Sequence, residues 1–500
     1  SGLPQFKLAV LADSATQFLV QAVRGTGYIR NYNIDVYEGD YGQISQQICD
    51  PASELYRFEP EAVLIMHASE KLLERFYKKD LAGQKNFAEV IIAELAELVH
   101  TLKRHGPTRI IFSNFPEVDD AVYGHGANKY AASFIYALRK INLSLMQLAQ
   151  EQSVLSILDL NALQSKMGRT TFHDARLYVD ASMVYALDAL PVIAKSIIDI
   201  MLALRGQFKK CLIVDLDHTL WGGVIGDDGI EKIEIGDFGI GKAYSALQSW
   251  IKQLKMRGVL IAVCSKNTES VAKEPFEKHS DMVLRLEDIS VFVANWDNKA
   301  DNIRTIQAKM NIGFDSIVFI DDNAFERNLV RHALPEVTVP ELPDDPVNYL
   351  GYLQSLNLFE AGTLTEQDVE RTRHIQDKVK LEAIQHSYTN EAEFLQSMEM
   401  VCTVSGFTPF NIPRVAQLSQ RSNQYNLRTV RYVEDDIQAI AKDAARFGLA
   451  LSLRDKLSDH GLIAVVILHE VDGTLFIESW FMSCRVLKRG MESFIINKIV

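Results

Sequence analysis

Four apolar runs in the middle of the chain break off on polar or charged residues: CLIVDLD (211–217), VLIAVCS (259–265), MVLRLED (282–288) and SIVFIDD (316–322). Short continuous apolar runs fit strands buried on both faces, as in a parallel sheet covered by helices. Such sheets bind ligands at the carboxyl ends of their strands. The breaks therefore mark where chemistry is expected: Asp215, Asp217 and Thr219 after the first run, Ser265 after the second, Asp321 and Asp322 after the last. Lys299, in NWDNKADN, opens a helix between them. Acids gathered at one end of a sheet repel one another unless a divalent cation and an anion join them. Hard oxygen ligands suit Mg²⁺, while the Lys and Ser offer donors to phosphate oxygens. An Asp carboxylate can attack phosphorus directly, giving an aspartyl-phosphate that water or another acceptor resolves.

At 500 residues the chain is too long for one core and reads as three domains. Residues 1–206 alternate strand-like runs (FKLAVLAD, EAVLIMHA, RIIFSNF, SVLSILDLN) with helical segments such as FAEVIIAELAELVHTLKRHG, which predicts a parallel α/β domain. Residues 207–345 repeat that logic around the acids and close on LPEVTVPELPDDP (334–346). A linker with a charged helix, EQDVERTRHIQDKVKLEAIQ (366–385), fills 346–390. Residues 391–500 read as a strand, helices, a hairpin turning at Asp472-Gly473, and a helix that the chain leaves at Val500, so the natural end is expected further on.

A formal net charge of −13 argues against a general nucleic-acid or membrane-surface binder. The most apolar segment, ALDALPVIAKSIIDIMLAL (186–204), is interrupted by Asp188, Pro191, Lys195 and Asp199 and reads as an amphipathic helix. Five scattered cysteines without a CxxC pair disfavour zinc or a disulfide framework and point to a reducing, cytoplasmic compartment.

D-x-D-x-T, a lone Ser, a Lys and a paired DD, in that order on successive strands, resemble the haloacid dehalogenase (HAD) superfamily of phosphotransferases. The resemblance implies Asp215 as nucleophile and Asp217 as general acid and base, its backbone carbonyl also facing the metal. Ser265, Lys299 and Thr219 would serve the phosphoryl group, and Asp321 with Asp322 would complete a Mg²⁺ site. Between Asp217 and Ser265 there is room only for a Gly-rich hairpin (WGGVIGDDGIEKIEIGD) and one helix, and between Ser265 and Lys299 for one helix and one strand. Neither gap holds a mobile cap domain, so the site is open to a large, protein-tethered substrate or is covered by the flanking domains.

DLDHTLWGGVIGDDG, GVLIAVCSKN, NWDNKADNI, VFIDDNAFERN, RSNQYNLRTVRY and MSCRVLKRG are similar to the FkbH-like proteins. That resemblance implies a glyceryl transferase and phosphatase that loads a glyceryl unit from 1,3-bisphosphoglycerate onto an acyl carrier protein. His218 stands where that family usually has Asn. The alternatives are a HAD phosphatase acting on another phosphorylated substrate and a non-catalytic scaffold. In the family context Cys264 has two readings, an acyl relay thiolate or a small apolar filler at a strand end.

VLADSATQF resembles the nucleophile block of SGNH-type esterases, with Ser14 after a strand. The other blocks are replaced by HASE (67–70) and FHDARLYVDAS (172–182), so Ser14 reads as a helix N-cap in a degenerate, SGNH/flavodoxin-like scaffold. The last domain resembles the GNAT acyltransferase α+β fold. Its Arg485-to-Glu492 stretch loses the glycine spacing of a coenzyme A loop, leaving either a basic turn for a phosphopantetheine arm or a solvated helix start. RSNQYNLRTVRY (421–432) lines an interdomain cleft or ends a polar surface helix.

Overall fold

The computed structural model describes residues 2–105, 109–360, 395–422, 425–456, 459–483, 486–487 and 489–499. The chain divides into two compact units, Ser1–Leu202 and Ala203–Val500. The predicted helix at 366–385 lies outside the described residues.

The first unit is built on a parallel five-stranded sheet in the order β2-β1-β3-β4-β5. The strands are β1 (Gln5–Ala12), β2 (Asn33–Glu38), β3 (Ala62–Met66), β4 (Arg109–Ser113) and β5 (Leu155–Leu158). β3 is buried at every position, as a central strand between helical layers must be. β2 was not among the strands expected. Its sequence, NIDVYE, alternates polar with apolar residues because it forms an edge with only part of its surface covered. Helix Phe87–Arg104 buries Phe87, Ile91, Leu95, Leu98 and Leu102, the three-and-four spacing that places them on one face. The apolar segment before residue 204 folds as helix Leu190–Leu204, with Lys195 and Asp199 paired at 2.5 Å one turn apart. Among the described residues no helix is long and apolar enough to cross a membrane.

The second unit contains two sheets. One is parallel, in the order β8-β7-β6-β9, from β6 (Cys211–Val214), β7 (Leu260–Ser265), β8 (Val291–Ala294) and β9 (Ile317–Ile320). The run MVLRLED was expected to be its third strand, but the strand is the next apolar run, VFVA. In MVLRLED the Arg285 guanidinium donates to the carbonyls of Phe276, His279 and Ser280, and Asp288 accepts from the Arg285 amide. Those local bonds make residues 286–288 a 3₁₀ turn instead. Side chains alternate between two apolar clusters: Leu212, Val214, Ile261 and Val263 pack with Trp221 and Phe276 on one face, Cys211, Ile213, Ala262 and Cys264 with Ile303 and Phe319 on the other. Tyr349, Leu353 and Phe359 belong to the first of these clusters, so the start of the expected 346–390 linker is part of this core.

The other sheet is antiparallel, in the order β10-β11-β12-β13, from β10 (Val401–Ser405), β11 (Arg446–Arg454), β12 (Asp459–Val471) and β13 (Thr474–Met482). Helices Ile412–Arg421 and Glu434–Lys442 connect β10 to β11, and helix Met491–Ile499 follows β13. The hairpin turns at Asp472 and Gly473, whose φ of 51° and 74° match a type I′ turn. Within RSNQYNLRTVRY, Arg421 and Arg431 hold the segment that leads into β6. Arg431 Nε donates to the Arg205 carbonyl at 3.1 Å, Lys210 Nζ donates to the Arg421 carbonyl at 2.9 Å, and the Arg421 guanidinium lies 5.5 Å from the Phe208 ring. Gly206, at φ 73°, passes so close that a Cβ there would lie 2.0 Å from the Gln420 carbonyl oxygen. Of the basic turn, Arg485 and Lys488 fall outside the described residues. Arg489 NH1 donates to Asp455 at 3.1 Å, and His460 Nε2 lies 2.7 Å from the same buried carboxylate.

Candidate active site

The carboxyl ends of β6, β7 and β9 and the start of helix Lys299–Met310 converge on one point. β6 is flanked by β7 and β9, and its four residues are fully buried, so Asp215 emerges where the chain leaves the sheet. Its side chain is 10% exposed. Lys299 Nζ lies 3.0 Å from Asp215 Oδ2 and 2.5 Å from Asp321 Oδ2. Carboxylate oxygens of Asp215, Asp321 and Asp322 all lie within 4.8 Å of one another.

Each group is oriented locally. Asp321 Oδ1 accepts from the Asn323 amide at 2.8 Å, and Arg327 NH1 donates to the carbonyls of Asp321 and Asp322, which fixes the paired-acid turn. Thr219 was expected at the phosphoryl group. The structure places its hydroxyl on Asp322, as donor to Oδ1 at 3.2 Å and acceptor from the Asp322 amide at 3.1 Å. Ser265 ends β7, buried.

The electrostatics follow from burial. Burial and the Asp215 charge push the Asp321 carboxyl up to about 7, against the pull of Lys299. Asp322 is raised for the same two reasons. Burial opposes the Lys299 charge, yet Asp215 and Asp321 outweigh it and hold the ammonium protonated beyond its ordinary range. Asp215 Oδ1 is buried with no hydrogen-bond partner. A buried, unsatisfied carboxylate oxygen is costly in isolation, so this donor set fits a hard cation and an incoming electrophile.

Asp217 stands beside this group of three. Burial raises its carboxyl, the Ile225 amide and Trp221 indole work against that rise, and Asp215 adds to it. Its Oδ1 accepts from Trp221 Nε1 and the Ile225 amide, each at 3.0 Å, and its Oδ2 from Asn267 Nδ2 at 3.1 Å. Trp221, Asn267 and Arg327 were not anticipated. All three lay inside quoted motifs, but nothing in spacing alone tied them to the Asp217 carboxylate or the paired acids.

Cys264 is packed on the sheet face shared with Cys211 and Ile213, fully buried, its Sγ 3.8 Å from the Lys299 carbonyl. Burial pushes its thiol far up, the reverse of what a relay thiolate needs.

The β6-to-β7 connection holds the short helix Ile225–Asp228, an antiparallel bridge Gly222↔Glu234 and helix Gly241–Met256. The β7-to-Lys299 connection holds helix Glu269–Lys278, the 3₁₀ turn and β8. Neither contains a cap domain.

In the first unit, Ser14 is not a helix cap. The N-cap position of helix Gln17–Ile29 is Thr16, whose hydroxyl donates to Glu38 at 2.7 Å and accepts from no helix amide. Asp13 accepts from the Ala68 amide and lies 3.3 Å from Nδ1 of His67, the imidazole of HASE.

The FkbH N-terminal domain family matches residues 7–202. Among solved structures, the N-terminal part of BF1531 from Bacteroides fragilis, described as containing a phosphatase domain complexed with Mg, is 50% identical, with a TM-score of 0.69 over 72% of this chain and 95% of that one. A lipase/acylhydrolase from Enterococcus faecalis (13% identity, 39% of this chain and 94% of that one, TM-score 0.27) and a HAD superfamily subfamily III A hydrolase from Legionella pneumophila (16%, 38% and 97%, 0.19) align too weakly to carry an argument. No curated protein matches the sequence. On the strength of the half-identical relative and the domain match, this chain belongs to the FkbH-like proteins.

Proposed function

We propose that the protein is a Mg²⁺-dependent HAD-type phosphatase and phosphotransferase of the FkbH-like kind. Its substrate would be 1,3-bisphosphoglycerate: the thiol of an acyl carrier protein would displace the 1-phosphate from the acyl carbon to form a thioester, and the 3-phosphate would be removed through the aspartyl-phosphate to leave a glyceryl unit. The observation that carries the phosphoryl part is the convergence of Asp215, Asp321 and Asp322 on Lys299, with Asp215 Oδ1 buried and unpartnered. Asp215, Asp321 and Asp322 would hold the ion through carboxylate oxygens, with the Asp217 backbone carbonyl facing it. When bound, Mg²⁺ neutralises the carboxylates and draws charge from the phosphoryl oxygens.

Lys299 pins Asp215 Oδ2, which leaves Oδ1 as the attacking atom. Ser265 and Lys299 hold the phosphoryl oxygens. As Oδ1 bonds to phosphorus, the bond to the leaving oxygen breaks and Asp217 supplies that oxygen with a proton. Asp217 then takes a proton from water, whose attack on phosphorus releases phosphate and restores Asp215. Burial shifts the Asp217 carboxyl toward its protonated form, the direction a general acid needs.

A carrier-bound substrate is supported by the missing cap and by the rim. Trp296, 73% exposed on the loop before Lys299, and Phe325, 69% exposed in the first turn of helix Ala324–Ala333 after the paired acids, lie at the carboxyl edge. The Cys264 relay finds no support in its surroundings. The same acids equally suit a phosphatase with a different phosphorylated substrate. Asp215→Asn should abolish phosphate release from acetyl phosphate, and retained release would refute the catalytic reading. Incubation with 1,3-bisphosphoglycerate and a carrier protein, followed by intact mass, tests the finer assignment. A carrier that never gains a glyceryl unit would refute it and leave the phosphatase standing.

A further inference from the structure

We infer that Asn267 and Trp221 are positioning residues that fix the Asp217 carboxyl for proton delivery to the leaving group, an inference that rests on Asp217 being the acid. The grip has three points. Oδ1 accepts from Trp221 Nε1 and the Ile225 amide, each at 3.0 Å, and Oδ2 accepts from Asn267 Nδ2 at 3.1 Å. The Thr268 amide donates to Asn267 Oδ1 at 2.9 Å, so the Asn267 side chain is turned with its NH₂ toward Asp217. Both directions in which Oδ1 can accept are taken, whereas Oδ2 has one open. The transferable proton therefore resides on Oδ2, and donors on both oxygens prevent the carboxyl from rotating to exchange them.

The supports are rigid. Trp221 is fully buried with its ring against Phe276, centroids 5.9 Å apart, and Asn267 is buried two residues after Ser265, the end of β7. One strand end and the turn that follows it thus set both a donor for the phosphoryl group and the direction of the acid. Neither Asn267 nor Trp221 gives or takes the transferred proton in this arrangement. Their effect passes through Asp217, and up to departure of the leaving group it matters only as far as the leaving oxygen needs a proton.

The test is the leaving-group dependence of kcat/KM, which covers events up to departure of that group. Asn267→Ala and Trp221→Phe, the latter keeping an aromatic ring in the core, are assayed with acetyl phosphate, p-nitrophenyl phosphate and phenyl phosphate. Acetate leaves without a proton and phenolate leaves poorly without one. Loss should grow along that series, from within about 3-fold on acetyl phosphate to roughly 10–100-fold on phenyl phosphate, a share of what a positioned acid contributes. Retained acetyl phosphate activity shows in the same assay that the variants are folded. Equal loss on all three substrates, or none on phenyl phosphate, would overturn the inference. Asp217→Asn separates the two levels. A graded loss there without one in the two variants overturns the inference alone, and an ungraded loss there overturns the assignment of the acid together with it.

Discussion

Replacing Lys299 with Met keeps the volume and apolar stem of the side chain and removes its charge. At an effective dielectric of about 20, an ammonium 3.0 Å from one carboxylate and 2.5 Å from another attracts each by roughly 5–7 kcal/mol. That gross figure overstates the loss. The buried ammonium has its own desolvation cost of several kcal/mol, which the variant no longer bears. Asp321, already raised to about 7, can also shed its charge by taking a proton near neutral pH. What remains is the cost of breaking a buried ion pair by deleting one partner, about 3–5 kcal/mol. In thermal unfolding followed by circular dichroism with metal chelated, that is a fall in Tm of roughly 6–12 °C or more. Mg²⁺ should then recover more stability in the variant than in the native protein, because it neutralises carboxylates that Lys299 no longer balances. Turnover should be lost with or without that recovery. A metal-free Tm within about 2 °C of the native value, or a Mg²⁺ effect no larger in the variant, would refute the argument that Lys299 balances these acids.

The pH dependence has a definite sign. A carboxyl raised from 3.8 to about 7 on folding holds a proton that the unfolded chain has given up, so its contribution to metal-free stability is complete below roughly pH 4 and is lost as pH climbs through about 7. Mg²⁺ needs the ionised form, so the rise in Tm it produces should grow over that window; a constant shift across it would contradict the assignment. Gly206→Ala should cost more than about 2 kcal/mol in chemical denaturation, from the positive φ and the Gln420 carbonyl, whereas Gly25→Ala, with open space around it inside helix Gln17–Ile29, should be neutral or stabilising by up to about 1 kcal/mol. Cys264→Ser should keep phosphate release and any carrier loading at a cost of about 1–3 kcal/mol for a buried hydroxyl, and the native thiol should resist alkylation until the protein unfolds.

The acids at the strand ends were legible because a buried strand is written as an unbroken apolar run, and a carboxylate immediately after it has few structural reasons to be there. Lys299 was legible because it opens a helix whose preceding residue, Asn298, is a good N-cap and accepts from the Ala300 amide at 2.8 Å. Local hydrogen bonding misled where it competed with apolar pattern, as Arg285 did in making a turn of MVLRLED. The orienting residues were hidden for a different reason. Asn267 reaches Asp217 across 50 positions, and Thr219 reaches Asp322 across 103. Contacts of that kind are properties of the folded sheet, and no period or spacing in the chain records them. Thr219 shows the result most plainly: its place in D-x-D-x-T was evident, while the partner of its hydroxyl was not.

The contact of Arg431 with the Arg205 carbonyl and the close passage of Gly206 past Gln420 bear on how this chain can be dissected. Strand boundaries alone would suggest starting a catalytic fragment just before Cys211. Such a fragment would discard the eight residues from 203 to 210, and with them the Arg205 carbonyl, the Phe208 ring and the Lys210 ammonium that fasten the antiparallel sheet to the phosphatase sheet. A cut at the boundary between Leu202 and Ala203 keeps that fastening whole, so the working fragment begins inside what reads, in one dimension, as the tail of a helix belonging to the first unit.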